Sequence, residues 1–402
     1  RVTAESTQID VKTAKAALFP SLSFSTSQQV VNRPYQETSS RVSGSEIISS
    51  NSKTSYNGNY GLNASWTIYN GSKRLKTLKQ ERLNNQIAEL DVATSENTIK
   101  ESIAQIYIQI LYAAESVRVN ENTLQVSIAQ RDRGQELLNA GSIAKSDLAQ
   151  LEAQVSTDRY QLVTAQATLQ DYKLQLKQLL ELDGENEMNV YLPKLSDENV
   201  LAPLPAKKDV YVSALAIRPE IEASKLNVEA SELGIDIAKS SYFPTISLSA
   251  GIGTNHTSGS DFTFGEQVKN GWNNSIGLSV SVPIFNNRQT KSAVQKAKLQ
   301  RETNMLSLLD EQKALYKTIE SLWLDANSAQ QRYAAANEKL RSTQISYDLI
   351  SEQFNLGMKN TVELLTEKNN LLQAQQEQLQ AKYMAILNTQ LLKFYQGDKL
   401  TL

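Results

Sequence analysis

Two carboxylates, Asp147 and Glu363, stand six residues after a glycine, Gly141 and Gly357. Each opens a helical pattern, Ser146-Asp147-Leu148 in one half of the chain and Thr361-Val362-Glu363 in the other. A carboxylate in the first turn of a helix answers the positive end of the macrodipole. That is electrostatic rather than covalent chemistry. The rest of the polar inventory agrees. His256, the only histidine, lies in a polar loop without further metal-ligating residues. No nucleophile–base pair and no phosphate-cradling glycine loop is present, because Gly251-Ile252-Gly253 falls inside a strand pattern. The sequence therefore predicts no enzyme, no cofactor and no metal site.

These acids are placed by a duplication. Ala14-Lys15-Ala16-Ala17-Leu18-Phe19-Pro20-Ser21-Leu22 returns as Ala238-Lys239-Ser240-Ser241-Tyr242-Phe243-Pro244-Thr245-Ile246, and Leu138-Asn139-Ala140-Gly141 returns as Phe354-Asn355-Leu356-Gly357. Ser65-Trp66-Thr67-Ile68-Tyr69-Asn70 likewise matches Ser281-Val282-Pro283-Ile284-Phe285-Asn286. The later pairs share an offset of about 216 residues and the first sits slightly further apart, so one loop changed length; internal repeats outrank other signals of fold. The reading divides the chain into a first repeat (1–185), a linker (186–207) containing Pro193, Pro203 and Pro205, and a second repeat (208–402).

Each repeat begins with strands. Tyr56, Gly58, Tyr60, Leu62, Ala64, Trp66 and Ile68 alternate with Asn57, Asn59, Gly61, Asn63, Ser65 and Thr67. Ile276, Leu278, Val280, Val282 and Ile284 alternate with Ser275, Gly277, Ser279 and Ser281. Leu22 and Phe24, and later Ile246, Leu248, Ala250 and Ile252, continue the pattern after the two prolines. Period two marks strands with one apolar and one polar face. A half-buried sheet on a soluble core gives the same alternation. The small, uncharged polar face and the aromatics Trp66, Tyr69, Trp272 and Phe285 near strand ends favour a lipid-facing band with aromatic girdles. Four strands cannot close a barrel, and an open edge in lipid strands its backbone groups. The strands therefore demand oligomers, with eight strands from two chains or twelve from three. Val31–Ser55 and Asn255–Gly271 read as exposed connections.

After the strands come unbroken helical patterns, roughly Ser72–Ala140 and Arg288–Leu356, with no proline. At 1.5 Å per residue each reaches about 100 Å. Ile319, Leu322, Ala326, Ala329, Tyr333, Ala336 and Leu340 keep strict three-four spacing, and Ile103, Ile106, Ile110, Ala113, Val117, Asn120 and Leu124 copy the register. Sustained spacing of this kind means coiled-coil packing, and small or polar seam residues such as Ser127 imply close packing. Gly141 and Gly357 supply the positive φ of a helix stop.

Composition sets outer bounds. The chain has 402 residues, a formal charge of −2, 7% aromatics and no cysteine. The charge gives no case for nucleic acid, and the missing thiols exclude disulfides. No apolar run is long enough for a transmembrane helix. Arg1 aligns with Lys225 inside a helical pattern, so a leader and a counterpart of Arg218–Ser224 are expected before it.

Together the Phe19-Pro20 and Phe243-Pro244 motifs, Trp66-Thr67-Ile68-Tyr69-Asn70-Gly71 with Val282-Pro283-Ile284-Phe285-Asn286-Asn287, and the two glycine tips resemble the TolC-type outer-membrane efflux proteins, over essentially the whole chain. The resemblance implies a mainly α protein with membrane β: a homotrimer with four strands per chain in a 12-stranded β-barrel, continuous with a long α-helical coiled-coil barrel. It implies a passive outer-membrane exit duct of a tripartite efflux or type I secretion system, projecting into the periplasm and closed at its helical tip. A periplasmic adaptor and an inner-membrane pump, of RND or ABC type, would open it. The alternative is a trimeric coiled-coil fibre or adhesin with a β head.

By position, the resemblance assigns Asp147, Glu363, Ser146, Lys359 and Phe354 to the pore tip and gate, and Gly141, Ser142, Gly357 and Met358 to adaptor docking. Trp66, Tyr69, Trp272 and Phe285 become the membrane girdle, in contact with outer-membrane lipid. Asp147 and Glu363 are either ordinary helix-start acids or a ring of six carboxylates from three chains. Lys359 is a solvated end charge or a latch. Where relatives often carry tyrosine this chain has Phe354, and Thr366 replaces a second acid, so the closing contact is expected to be weaker or differently built.

Overall fold

The computed structural model describes residues 1–35, 39–43, 46–50, 53–182, 188–193 and 200–400. In chain order the elements are α1 (Val2–Ala16), β1 (Ser21–Asn32), β2 (Ser39–Ser43), β3 (Glu46–Ser50), β4 (Thr54–Asn70), α2 (Lys73–Asn139), α3 (Lys145–Leu179), α4 (Lys207–Ile217), α5 (Pro219–Ser240), β5 (Thr245–Thr257), α6 (Phe264–Asn270), β6 (Asn273–Ser281), α7 (Gln289–Asn355) and α8 (Thr361–Gln396). The two long helices, 67 residues each, end within a residue of the expected limits. No proline interrupts either one.

One compact unit comprises Arg1–Val92 and Glu222–Leu308. It holds an antiparallel sheet in the order β1-β4-β5-β6. The register lines up residues of one kind across all four strands. Leu22, Ala64, Ala250 and Ile276 form one rung, while Ser21, Ser65, Ser249 and Gly277 form the next. Cross-strand partners share a face, so one face of the sheet is apolar and the other carries small hydroxyls. Leu22, Phe24, Ile276, Leu278 and Val280 are all solvent-exposed in the single chain. β1 and β6 are the two edges. Beneath the sheet's proline-bearing ends, Trp66 donates its indole N–H to Leu18 O at 2.8 Å, and Arg74 reaches Ala17 O at 2.7 Å. α2 is tied to α5 by Gln80 donating to Ala230 O at 2.9 Å.

Four local expectations change. A register shift between Thr67 and Tyr69 leaves Ile68 unpaired, and Tyr69 pairs with Ile246. The inserted residue reverses the alternation, so Tyr69, not Ile68, joins Trp66 on the apolar face. β6 stops at Ser281, two residues before Pro283, which has no N–H for a ladder; Val282 and Ile284 lie beyond the strand. The connection Asn255–Gly271 contains the helix α6, started by a Thr263/Glu266 capping box in which Glu266 accepts from Thr263 N–H at 2.8 Å. The connection Val31–Ser55 contains the paired strands β2 and β3.

The other unit comprises Ala93–Ile221 and Leu309–Leu402. Its core joins the α7 seam residues Ala329 and Tyr333 to Leu379, Tyr383, Ala385 and Ile386 of α8 and to Ile108 and Leu111 of α2, which lie off the expected α2 register; of that register Ile110, Ala113, Asn120 and Leu124 are buried too. Of the expected linker, 186–187 and 194–199 lie outside the described residues. Val200 is buried in this core, and Gln330 donates to the carbonyls of Val200 and Ala202 at 3.0 and 2.8 Å. Tyr107 fastens Tyr191 O at 2.8 Å, and Trp323 fastens Pro205 O at 3.1 Å. Thus side chains from long helices satisfy the irregular backbone.

Arg218 anchors the end of α4. Its guanidinium is buried, donates to Glu220 at 2.8 Å and Glu101 at 3.1 Å, and lies 4.1 Å from the centre of the Tyr395 ring. Removing it strands two partly buried carboxylates. Arg218→Leu should therefore destabilise this unit by about 3 kcal/mol, read by urea titration of the helical circular dichroism signal; an unchanged midpoint would count against a structural role for the network.

Candidate functional site

The two helix-hairpin tips lie in the second unit and are built alike. At the end of α2, Gly141 (φ 76°) donates to Leu138 O and Ser142 donates to Leu137 O. At the end of α7, Gly357 (φ 74°) donates to Phe354 O and Met358 to Gln353 O. This is the six-to-one, five-to-two pattern of a Schellman stop, which needs a left-handed residue. A Cβ at either glycine would meet nothing within 4 Å. The glycines thus serve the backbone turn and leave Gly141, Ser142, Gly357 and Met358 on an open surface.

The acids begin the returning helices. Asp147 accepts from Ala144 N–H at 3.0 Å. Ala144 has no side-chain oxygen to cap α3 in return, so this start is half built. The second start is complete: Asn360 accepts from Glu363 N–H at 2.9 Å and Glu363 accepts from Asn360 N–H at 3.2 Å. Lys359 adds an ion pair to Glu363 at 2.6 Å, one turn along its own chain. Within the chain Lys359 is a partly exposed end charge held by its own Glu363. Its hydrogen bond, with that from Asn360 N–H, lowers Glu363 below the usual glutamate range. Ser146 is exposed on the first turn of α3.

Phe354 turns inward. It is 2% exposed and packs with Leu151 of α3 and Leu364 of α8, with Leu137, Tyr347, Ile350 and Leu365 around them. The contact between hairpins at this level is an apolar plug. Gly134 lets it form, since a Cβ there would collide with Leu151. Arg133 adds a bond to Asn355 O at 3.5 Å.

Deeper along the helices lies a cluster of which only the seam serine Ser127 stood out in the sequence. Lys368 of α8 (3% exposed) forms an ion pair with Asp158 of α3 (1% exposed), and the hydroxyl of Ser127 on α2 touches both. Gln154 donates to the other Asp158 oxygen at 2.9 Å. Burial pulls Lys368 below the usual lysine value, against the opposite pull of Asp158. The signal was present: Leu151, Val155, Asp158 and Leu162 keep three-four spacing, so a charge sits on a seam position.

The girdle residues lie in the first unit. Trp66 and Tyr69 are near the end of the sheet where β5 begins, with Phe285 four residues past β6; Trp272 precedes β6 at the opposite end. The aromatics therefore flank the apolar face at both ends.

Residues 1–181 and 210–397 match the model of the outer membrane efflux protein family. The chain is 26% identical over 294 residues to outer membrane efflux protein BepC of Brucella suis biovar 1, covering 73% of this chain and 61% of that protein. It is 25% identical over 341 residues to outer membrane protein TolC of Escherichia coli K12, covering 81% and 66%. The chain thus spans about two thirds of the length of these curated relatives. In fold it is similar to the crystal structure of CusC, with a TM-score of 0.82 at 19% identity, covering 99% of this chain and 88% of that one.

Two outcomes follow from the tip. Glu363 has a lowered folded pKa, so its contribution to stability is present above the ordinary glutamate range and is lost as pH falls through the lowered value. In Lys359→Met the largest cause of the shift is gone, and carbon-13 NMR should show the Glu363 titration moving up. Lys368→Met strands Asp158 and should cost about 3–5 kcal/mol, whereas Asp158→Leu with Lys368→Met should be near neutral. Equal losses in the single and double variants, measured by thermal unfolding, would contradict this account of the pair.

Proposed function

The chain belongs to the outer membrane efflux protein family, and on that basis we propose that it is one protomer of a passive exit duct in the bacterial outer membrane. Three copies contribute four strands each to a 12-stranded barrel, and their helix hairpins form a tunnel into the periplasm. The observation that carries this reading is the sheet. Its apolar face is exposed, its polar face is small and uncharged, and each edge strand has one partner and no second one within the chain among the described residues. A sheet with such a face and two open edges is stable in lipid only when copies close it. In a soluble fibre head the same face would be left in water, and the family match does not favour that alternative.

Transport through such a duct needs no covalent chemistry. A lining of Ser, Asn and Gly gives water a path without selecting a ligand. Selection then falls to the narrowest point. With three copies, Asp147 and Glu363 would bring six carboxylates to the tip, each Glu363 with its own Lys359, and the net negative charge that remains would favour cations. Each already caps its own helix, so the ring adds no desolvation of free acids. The apolar plug of Phe354, Leu151 and Leu364 stands where the family resemblance would put a tyrosine.

The partners would be a periplasmic adaptor and an inner-membrane pump of RND or ABC type. Gly141, Ser142, Gly357 and Met358 present an open surface for the adaptor. A groove of about 570 Å³ between α7 and α8, floored by Ala329, Ala335, Ala336 and Ala381 with Arg332, Lys339 and Glu377 at its rim, suits a helix from a neighbouring copy or adaptor. The division into repeats 1–185 and 208–402 then supplies six near-equivalent helix hairpins per trimer.

The purified protein should conduct ions in planar bilayers, and Asp147→Asn with Glu363→Gln should move the reversal potential in a salt gradient towards zero. Unchanged conductance and selectivity would remove the acidic ring from the proposal. A detergent-free soluble chain that forms no pores would remove the duct itself.

A further inference from the structure

The buried ion pair breaks the duplication. At the offset that relates Gly141 to Gly357, Asp158 corresponds to Ala374, Lys368 to Glu152 and Ser127 to Thr343. Ala374 is itself fully buried. The cluster is therefore a feature of one hairpin-to-hairpin contact per chain, α2 and α3 on one side and α8 on the other. Tyr347, which stands where the first repeat has Arg131, reinforces the same level by accepting from Gln130 at 2.9 Å.

Neighbouring turns offer the pair no substitutes. One turn either side of Asp158 stand Gln154, Val155, Gln161 and Leu162; one turn either side of Lys368 stand Leu364, Leu365, Leu371 and Leu372. If the hairpins slid past each other by a turn here, an ammonium and a carboxylate would each be left buried without an opposite charge. Towards the tip the contact has a different character. The Leu151, Phe354 and Leu364 plug is apolar and non-directional, and the Arg133–Asn355 bond is long and exposed. Contacts of that kind can break and re-form without stranding a charge.

Building on the duct reading above, we infer that the Ser127–Asp158–Lys368 cluster is the fixed end of the gate. Opening is confined to the tipward turns, about 10 to 20 Å of each helix, and beyond the cluster the two hairpins stay joined in register. The moving part is the short end of each hairpin rather than a whole hairpin.

The absence of cysteine from the chain makes the test direct. Ser116 of α2 and Gln376 of α8 touch at 3.1 Å on the side of the cluster away from the tip, and Arg133 and Asn355 touch on the tip side. Full-length Ser116→Cys/Gln376→Cys and Arg133→Cys/Asn355→Cys proteins would be joined by a short bis-methanethiosulfonate, each thiolate forming a disulfide as methanesulfinate leaves, and recorded in planar bilayers. Cross-linking on the tip side should lower open probability about tenfold, and cross-linking beyond the cluster should leave it within about twofold. In the Asp158→Leu/Lys368→Met background, which keeps the hairpins packed without the charges, the Ser116→Cys/Gln376→Cys cross-link should now lower it about tenfold. Closure by that cross-link with the pair intact would overturn the inference, because the whole hairpin would then move. The same small effect in both backgrounds would overturn it too, since the pair would set no boundary. If the tip-side cross-link alone changes nothing, the tip gate fails, and this inference falls with it.

Discussion

Everything in the first unit follows from backbone groups that the chain cannot satisfy by itself. Within a sheet ordered β1-β4-β5-β6, the inner strands have two partners and the outer ones have one. In water the outer edges would be a liability managed by charge or proline. Here β1 carries Ser, Thr and Gln, and β6 carries Asn, Ser and Gly; neither has a charged residue. An uncharged edge beside an exposed apolar face fits a strand that another copy completes. The alternating rungs, the aromatic ends and the bulge at Ile68 all serve that one requirement, because they fix which face each residue presents to it.

The second unit solves a different problem with little aromatic material. Long helices pack through alanines, serines and leucines, which let backbones come close but give each turn little to hold. Specific contacts are then concentrated at a few levels. Arg218 with Glu101, Glu220 and Tyr395 forms one, and Ser127, Asp158 and Lys368 form another. Buried charges are poor sources of net stability but demanding about geometry. Apolar contacts at Phe354 and Leu151 are the reverse. Placing the permissive contact next to the tip and the demanding one behind it gives a hairpin with a soft end and a fixed stem.

Particular residues show how far the sequence carries. Gly141 and Gly357 announced their turns, since a glycine closing a proline-free helical pattern has a single local meaning. Asp147 and Glu363 announced helix starts for the same reason. Thr263 and Glu266 carried a capping box as clear as that of Asn360 and Glu363, yet a run of Ser, Asn and Gly before it disguised α6 as loop. Ile68 could not have been placed from alternation alone, because a bulge depends on how β4 and β5 meet. Asp158 and Lys368, 210 residues apart, were ordinary charges on long helices until folding brought them together.

The sequence by itself showed the repeated motifs, the main strands and the two long helices with their limits, because these rest on periodicity, glycine and proline, which act within a few residues. The amphipathic strands and the family resemblance were equally legible. Only the tertiary structure decided that Phe354 faces Leu151, that Lys359 serves its own Glu363, and that one lysine in α8 is buried against one aspartate in α3. Those outcomes depend on which helix faces meet and at what register. In a seam of repeated leucines and alanines, several registers bury similar apolar area, and the charges distinguish them only once the helices are side by side.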